Sequence, residues 1–287
     1  MTGYGKRAFY NGGAGRYNKD RKTAEETLSR RNKGECLYMT RSETAHEKDD
    51  AWFGGEAFHG CGLDPEFEQI AKTFLLGDVE NRGCLTDVQR ALVTVAALTA
   101  TQSLQHMEQY LRAGLRMGAT AEQLRETIYQ CAPYVGLERA LCALEAASPV
   151  LMECTGEAEP NTRVTESDRF EKGLAVQQQL FGAENINKMR VAAPDELRHI
   201  QDYLSAHCFG DFYTRGGLDL ATRELITFCA ISCLGGCEPQ ATSHAAANLG
   251  IGNGRELLID AVTQCLPFIG FPRTLNALGC IDAACRK

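Results

Sequence analysis

A chain of 287 residues is long enough for two ordinary domains, each with its own core. With 44% hydrophobic and 23% charged residues its composition is that of a globular protein, and a net charge of −7 argues against a nucleic-acid partner, because binding to phosphate backbones draws on clustered Lys and Arg. No uncharged run approaches the roughly 18 to 20 residues of a membrane span, so no membrane partner is expected either.

Residues 1–60 are rich in Gly, Asn, Lys, Arg and Glu, and eleven basic residues stand against eight acidic ones in the first fifty. Such a stretch buries little apolar surface and is expected to be an amino-terminal arm or tail. A short helix over Ala24–Arg31 is plausible within it, with Thr23 as cap and Glu26 at the third helical position. No apolar signal segment follows the first residues, so the thirteen cysteines are expected to be reduced thiols in a cytoplasmic protein, most of them small buried hydrophobes. Their odd number also argues against a closed disulfide framework.

Beyond the arm the sequence repeats itself. Gly77-Asp78-x-x-x-Arg82-Gly83-x-Leu85-x-x-x-x-Arg90 recurs 133 residues later as Gly210-Asp211-x-x-x-Arg215-Gly216-x-Leu218-x-x-x-x-Arg223. Gln130-Cys131-Ala132-Pro133-Tyr134-Val135-Gly136 recurs at an offset of 134 as Gln264-Cys265-Leu266-Pro267-Phe268-Ile269-Gly270. The chain therefore reads as a first copy (61–150), a linker and connecting helix (151–185) and a second copy (186–287). Both copies are helical by pattern. Thr86 with Gln89 and Thr120 with Gln123 have capping-box spacing, and Leu124, Ile128, Cys131 and Val135 form one helical stripe. Asn253 with Glu256 gives the same signal in copy two. Sustained period-two alternation is missing, so the predicted class is all-α.

The chemistry gathers in copy two. An apolar helix carrying Arg223 and Glu224 is expected to break at Leu234-Gly235-Gly236 and to be followed by a helix from about Cys237. Cys237, Gln240 and His244 then fall at i, i+3 and i+7, which puts a thiol, an amide and an imidazole near one face. Copy one keeps the framework and lacks the reactive groups: Ala91 corresponds to Glu224, Tyr110 to His244, and Ser103 or Leu104 to Cys237. Glu224, Cys237 and His244 are therefore the candidate catalytic residues. Arg223 and Gln240 are candidate substrate-binding residues. Arg215 is a further candidate, but both arginines have copy-one counterparts in Arg90 and Arg82, which favours a framework role. His207 and Cys208 lack a second ligand pair at zinc spacing, so no metal is expected.

Arg223-Glu224-Leu225-Ile226-Thr227, the Gly-Cys-Glu-Pro turn, His244-Ala245-Ala246-Ala247 and Gln264-Cys265-Leu266-Pro267-Phe268-Ile269-Gly270-Phe271-Pro272 resemble the carboxymuconolactone decarboxylase family, which includes the alkylhydroperoxidase D-like proteins. The resemblance covers about residues 62–150 and 186–285. It implies two tandem alkylhydroperoxidase D-like helical bundle units, a homo-oligomer such as a trimer of tandem chains, a small-molecule substrate and no cofactor. Two activities are implied. A peroxidase branch carries Glu, then Cys-x-x-Cys, then His; Glu224, Cys237 and His244 match it, but Gln240 stands at the second cysteine, leaving Cys233 as the possible resolving thiol. A decarboxylase branch uses an acid and a histidine without the cysteine pair, and suits this departure better. A non-catalytic oligomeric scaffold that senses oxidants is the third reading.

Overall fold

The computed structural model describes residues 39–58, 64–155 and 160–286. Contacts divide the chain into Met1–Thr40 and Arg41–Lys287. The second unit carries everything that follows, and the helix expected over Ala24–Arg31 lies outside the described residues. Among the described residues every regular element is a helix. No helix there is long and apolar enough to cross a membrane.

The first copy runs through α1 (Arg41–Lys48), α2 (Pro65–Lys72), α3 (Asp87–Thr101), α4 (Met107–Arg116), α5 (Ala121–Val135) and α6 (Leu137–Thr155). The second runs through α7 (Arg169–Phe181), α8 (Ala183–Ala192), α9 (Arg198–Tyr203), α10 (Leu220–Leu234), α11 (Glu238–Gly250) and α12 (Arg255–Cys285). Both capping boxes predicted for copy one are formed, with Thr86 capping α3 and Thr120 capping α5. Asn253 departs from its predicted role. Gly254 is the cap residue of α12 and makes no side-chain cap bond, while the Asn253 amide donates to Asn248 and to the Ala221 carbonyl. Helix α12 bends at Gly270, whose φ of 72° favours glycine, so its two halves correspond to α5 and α6.

At the centre α3 packs against α10, flanked by α5 and α12. Every residue from Arg90 to Ala100 and from Arg223 to Cys233 is buried. A helix apolar on nearly all sides has to lie inside the bundle, and these two do. Each large side chain withdrawn there, such as Leu92, Leu225, Ile226 or Phe228, contributes about 1.5–3 kcal/mol.

In each copy the helix before the Gly-Asp motif widens into a π-helical segment, Thr73–Val79 and Leu204–Tyr213. Against each lies an earlier helix, α1 and α7 respectively. Glycine permits the approach: a Cβ on Gly77 would strike the Arg41 carbonyl, and one on Gly210 would strike the Arg169 carbonyl. Arg41 pairs with Asp78 at 3.0 Å, and Arg169 with Asp211 at 2.5 Å. These matches, at an offset of 128, extend the repeat upstream of the motifs that reveal it. The sequence places the end of the arm near residue 60, whereas the contact boundary lies between Thr40 and Arg41.

Candidate active site

Helix α10 ends at Leu234, Gly235 and Gly236 turn the chain with φ of 70° and 69°, and Cys237 is the cap residue of α11. The predicted break is therefore real, and it folds α11 back along α10. Asn248 pins the two helices together by donating to the carbonyls of Glu224 (3.1 Å) and His244 (2.8 Å). Glu224 and His244, twenty positions apart, then meet: His244 Nδ1 lies 2.5 Å from Glu224 Oε1. Glu224 is fully buried and His244 is 8% exposed.

The other carboxylate oxygen, Oε2, accepts from the Tyr213 hydroxyl at 2.7 Å. Since that hydroxyl has one proton and spends it on Glu224, its other contacts must donate to it. Thr227 Oγ1 (2.9 Å) and the Tyr134 hydroxyl (3.0 Å) do so. Gln130 Nε2 donates to Thr227 at 3.1 Å, and Cys208 Sγ donates to Tyr134 at 3.4 Å. Every proton in this network points towards the Glu224 carboxylate. Burial holds both tyrosines well above the usual phenol pKa, so they stay protonated donors. The imidazole is bracketed by Tyr134 and Phe181, each edge-on, at centroid distances of 5.3 and 5.2 Å. Nδ1 is committed to the carboxylate, which leaves Nε2 on the opposite edge of the ring. The site is thus built from both copies, with Gln130 and Tyr134 from the first and the remainder from the second.

Both arginines are engaged by the protein itself, in keeping with the framework role that their copy-one counterparts favour. Arg223 is fully buried and donates to Glu126 (2.9 Å), Gln130 Oε1 (3.0 Å) and the carbonyls of Arg215 and Gly216. Arg215 grips the same Glu126 through Nε and NH2. Both guanidiniums are held by protein acceptors, and Nε of Arg223 is a buried donor left without one. Arg223 acts on the site indirectly, by turning the Gln130 amide so that its nitrogen faces Thr227.

Gln240 is exposed on the first turn of α11. Cys237 is half-buried and lines a small cleft with Ser232, Glu238, Arg273 and Cys280 that His244 does not line. Cys233 is fully buried, and a hydrogen bond with Cys265, followed by burial, pushes its thiol well above the ordinary value. His207 Nδ1 donates to the Asp211 carboxylate at 2.8 Å, outside the Glu224 network. Among the described residues no group of three His, Cys, Asp or Glu side chains could hold a metal ion.

Sequence reasoning missed Tyr213, Tyr134, Thr227, Gln130 and Phe181. For two of these the needed signal was the one that exposed Glu224. Tyr213 stands against Glu80, and Tyr134 against Phe268, so both are positions where the copies differ.

A two-copy helical protein with a buried carboxylate–imidazole pair at the seam of its copies defines the class. The carboxymuconolactone decarboxylase family model matches residues 65–149 and 198–283, and the chain belongs to that family. It is 24% identical over 115 residues to a 4-carboxymuconolactone decarboxylase of Acinetobacter baylyi (strain ATCC 33305 / BD413 / ADP1), a match covering 40% of this chain and 85% of that protein.

Proposed function

We propose that the chain is a carboxy-lyase that removes carbon dioxide from a small carboxylated lactone or a related acid, with Glu224 and His244 as its acid–base pair. The observation that carries this reading is the buried 2.5 Å contact between His244 Nδ1 and Glu224 Oε1. Cleavage of the carbon–carboxylate bond releases carbon dioxide and leaves its electron pair on the ring as an extended enolate. His244 Nε2 delivers a proton to that carbon, Glu224 stabilises the imidazolium before and the ring tautomer after, and solvent returns the proton. Side-chain acid–base catalysis of this kind contributes about 10² to 10⁴ in rate. Tyr213 and Tyr134 keep the carboxylate aimed, and Phe181 and Tyr134 hold the ring.

The thiol-peroxidase alternative draws on Cys237, the cap residue at the start of α11. The resolving thiol expected from the sequence, Cys233, lies deep in the core with its proton held more tightly than usual; the thiol that shares the Cys237 cleft is Cys280, and Gln240 stands where the second cysteine of the redox pair would be. The decarboxylase is therefore the reading we favour. Turnover of 4-carboxymuconolactone in deuterated water tests it: carbon dioxide and one deuterium per product are expected, and peroxide-dependent oxidation of Cys237 with no lactone turnover would overturn it.

Self-association is part of the same proposal. Leu137 and Leu141 at the start of α6 are 55% exposed each, and their counterparts Phe271 and Leu275 are 64% and 63% exposed. One apolar stripe shown twice by an internal repeat suits contacts between copies of the chain. Light scattering reads the assembly, and Leu141→Glu with Leu275→Glu is expected to shift it to the single chain.

A further inference from the structure

Copy one is missing the acid and the histidine, yet it is not filled in. A cavity of 580 Å³ lies over Tyr110, at the position His244 takes in copy two. Buried Leu75, Leu98 and Tyr110 form its floor, and half-buried to exposed side chains such as Phe74, Ile70 and Phe67 form its walls and mouth. The size falls in the range of about 300–1,000 Å³ typical of small-molecule sites. One substitution between the copies accounts for part of the room: Ala71 lines the cavity, whereas its counterpart Leu204 packs into a cluster with Phe209 and Tyr213.

Three polar side chains reach this cavity from one face, Ser103, His106 and Tyr110. At an offset of 134 they match Cys237, Gln240 and His244, so copy one has kept the spacing of the reactive face and changed its chemistry. Tyr110 is held edge-on between Phe53 and Phe268 at 5.5 and 5.6 Å, as His244 is held between Phe181 and Tyr134. A built aromatic clamp thus presents a hydroxyl where the other copy presents an imidazole. The only charged residues among the described lining are Asp64 and Glu68, and Asp64 is already spent capping α2. An apolar recess without a cation penalises a carboxylate, because a desolvated anion needs a partner.

We propose that the copy-one cavity is a second small-molecule site, which takes an uncharged, largely aromatic or apolar ligand with one hydrogen-bonding group directed at Ser103, His106 and Tyr110. It does not depend on the substrate site proposed above. Phe271, exposed at the mouth beside Phe67, also belongs to the stripe proposed for self-association, so absence of binding to the assembled chain would mean that a second copy seals these walls.

The test is titration of the full chain with 2-naphthol and with 2-naphthoate, followed by fluorescence. Saturable binding of one 2-naphthol per chain is expected, at least tenfold tighter than 2-naphthoate. Ala71→Trp and, independently, the exposed-wall variant Ser103→Phe should each weaken it at least tenfold, with unchanged circular dichroism, while His244→Ala leaves it intact. Absence of saturable binding, equal affinity for naphthoate, or binding that survives both cavity-filling variants would overturn the proposal.

Discussion

At equivalent points of one bundle the two copies hold the same scaffold and different chemistry. In copy two Arg223 turns Gln130, Gln130 donates to Thr227, and Thr227 donates to the Tyr213 hydroxyl, which bonds Glu224 beside His244. In copy one Arg90 turns Gln264 at 3.0 Å and Gln264 donates to Thr94 at 3.1 Å, so the first half of the chain of bonds is retained. Its continuation is replaced, with Glu80 in the place of Tyr213, Ala91 in that of Glu224 and Tyr110 in that of His244. The Arg-Gln-Thr relay therefore belongs to the architecture of the fold, and the terminal Tyr-Glu-His group is what distinguishes the proposed catalytic half.

The sharpest way to break this comparison is to give copy two the residue of copy one. Glu224→Ala should lower turnover about 10²- to 10⁴-fold, since it removes the partner that orients His244. Steady-state release of carbon dioxide reads it, and a loss below tenfold would place the chemistry elsewhere.

Next in size are effects on the shared framework. Arg223→Met leaves the buried Glu126 with one of its two arginines gone and should destabilise the chain by about 3–5 kcal/mol, the cost of stranding a buried charge. Arg90→Met should cost less, about 1–3 kcal/mol. Its acidic neighbour Glu80 is only 3.7 Å away at the nearest ion-pair contact and can escape by taking a proton. Urea titrations of the two variants rank them, and equal losses would contradict the asymmetry.

Glu80 also gives a pH signature. Burial raises its carboxyl pKa, outweighing the hydrogen bond from Gln264 and the charges of Arg90 and Lys48. A pKa raised on folding favours the folded state below the unfolded value and loses that contribution as pH rises through the folded value. Glu80→Gln should thus match the parent in acid and become progressively more stable than it as pH climbs above the ordinary carboxylate range. Thermal melts across that window decide it; a constant difference would mean that Glu80 does not titrate there. Cys237→Ser is expected to have the smallest effect, with turnover within about twofold of the parent, as for substitutions outside the machinery. A large loss would return the thiol to the mechanism.

What could be read from the sequence follows from how local each signal is. Capping boxes and helical stripes lie within one element, so α3 and α5 were legible down to their caps. Glu224 and His244 were legible because an internal repeat supplies its own comparison, and two copies of one framework expose a change of chemistry against it. Phe181 was hidden, since its counterpart Phe53 lies upstream of the recognisable motifs at a different offset. Tyr213 ends a π-helical segment, which has no periodic pattern to announce which side chain it turns inward. Arg223 was open to reading as a substrate ligand, because its identity says nothing of Glu126, which comes from the other copy.

The account stands most directly on the imidazole. His244→Tyr installs the side chain that copy one carries, in an aromatic clamp that already accepts a tyrosine in that copy, so the fold should survive. Carbon dioxide released from the carboxylated lactone should fall to the uncatalysed rate in a protein with unchanged circular dichroism. Turnover undiminished in that variant would contradict the assignment of the chemistry to Glu224 and His244.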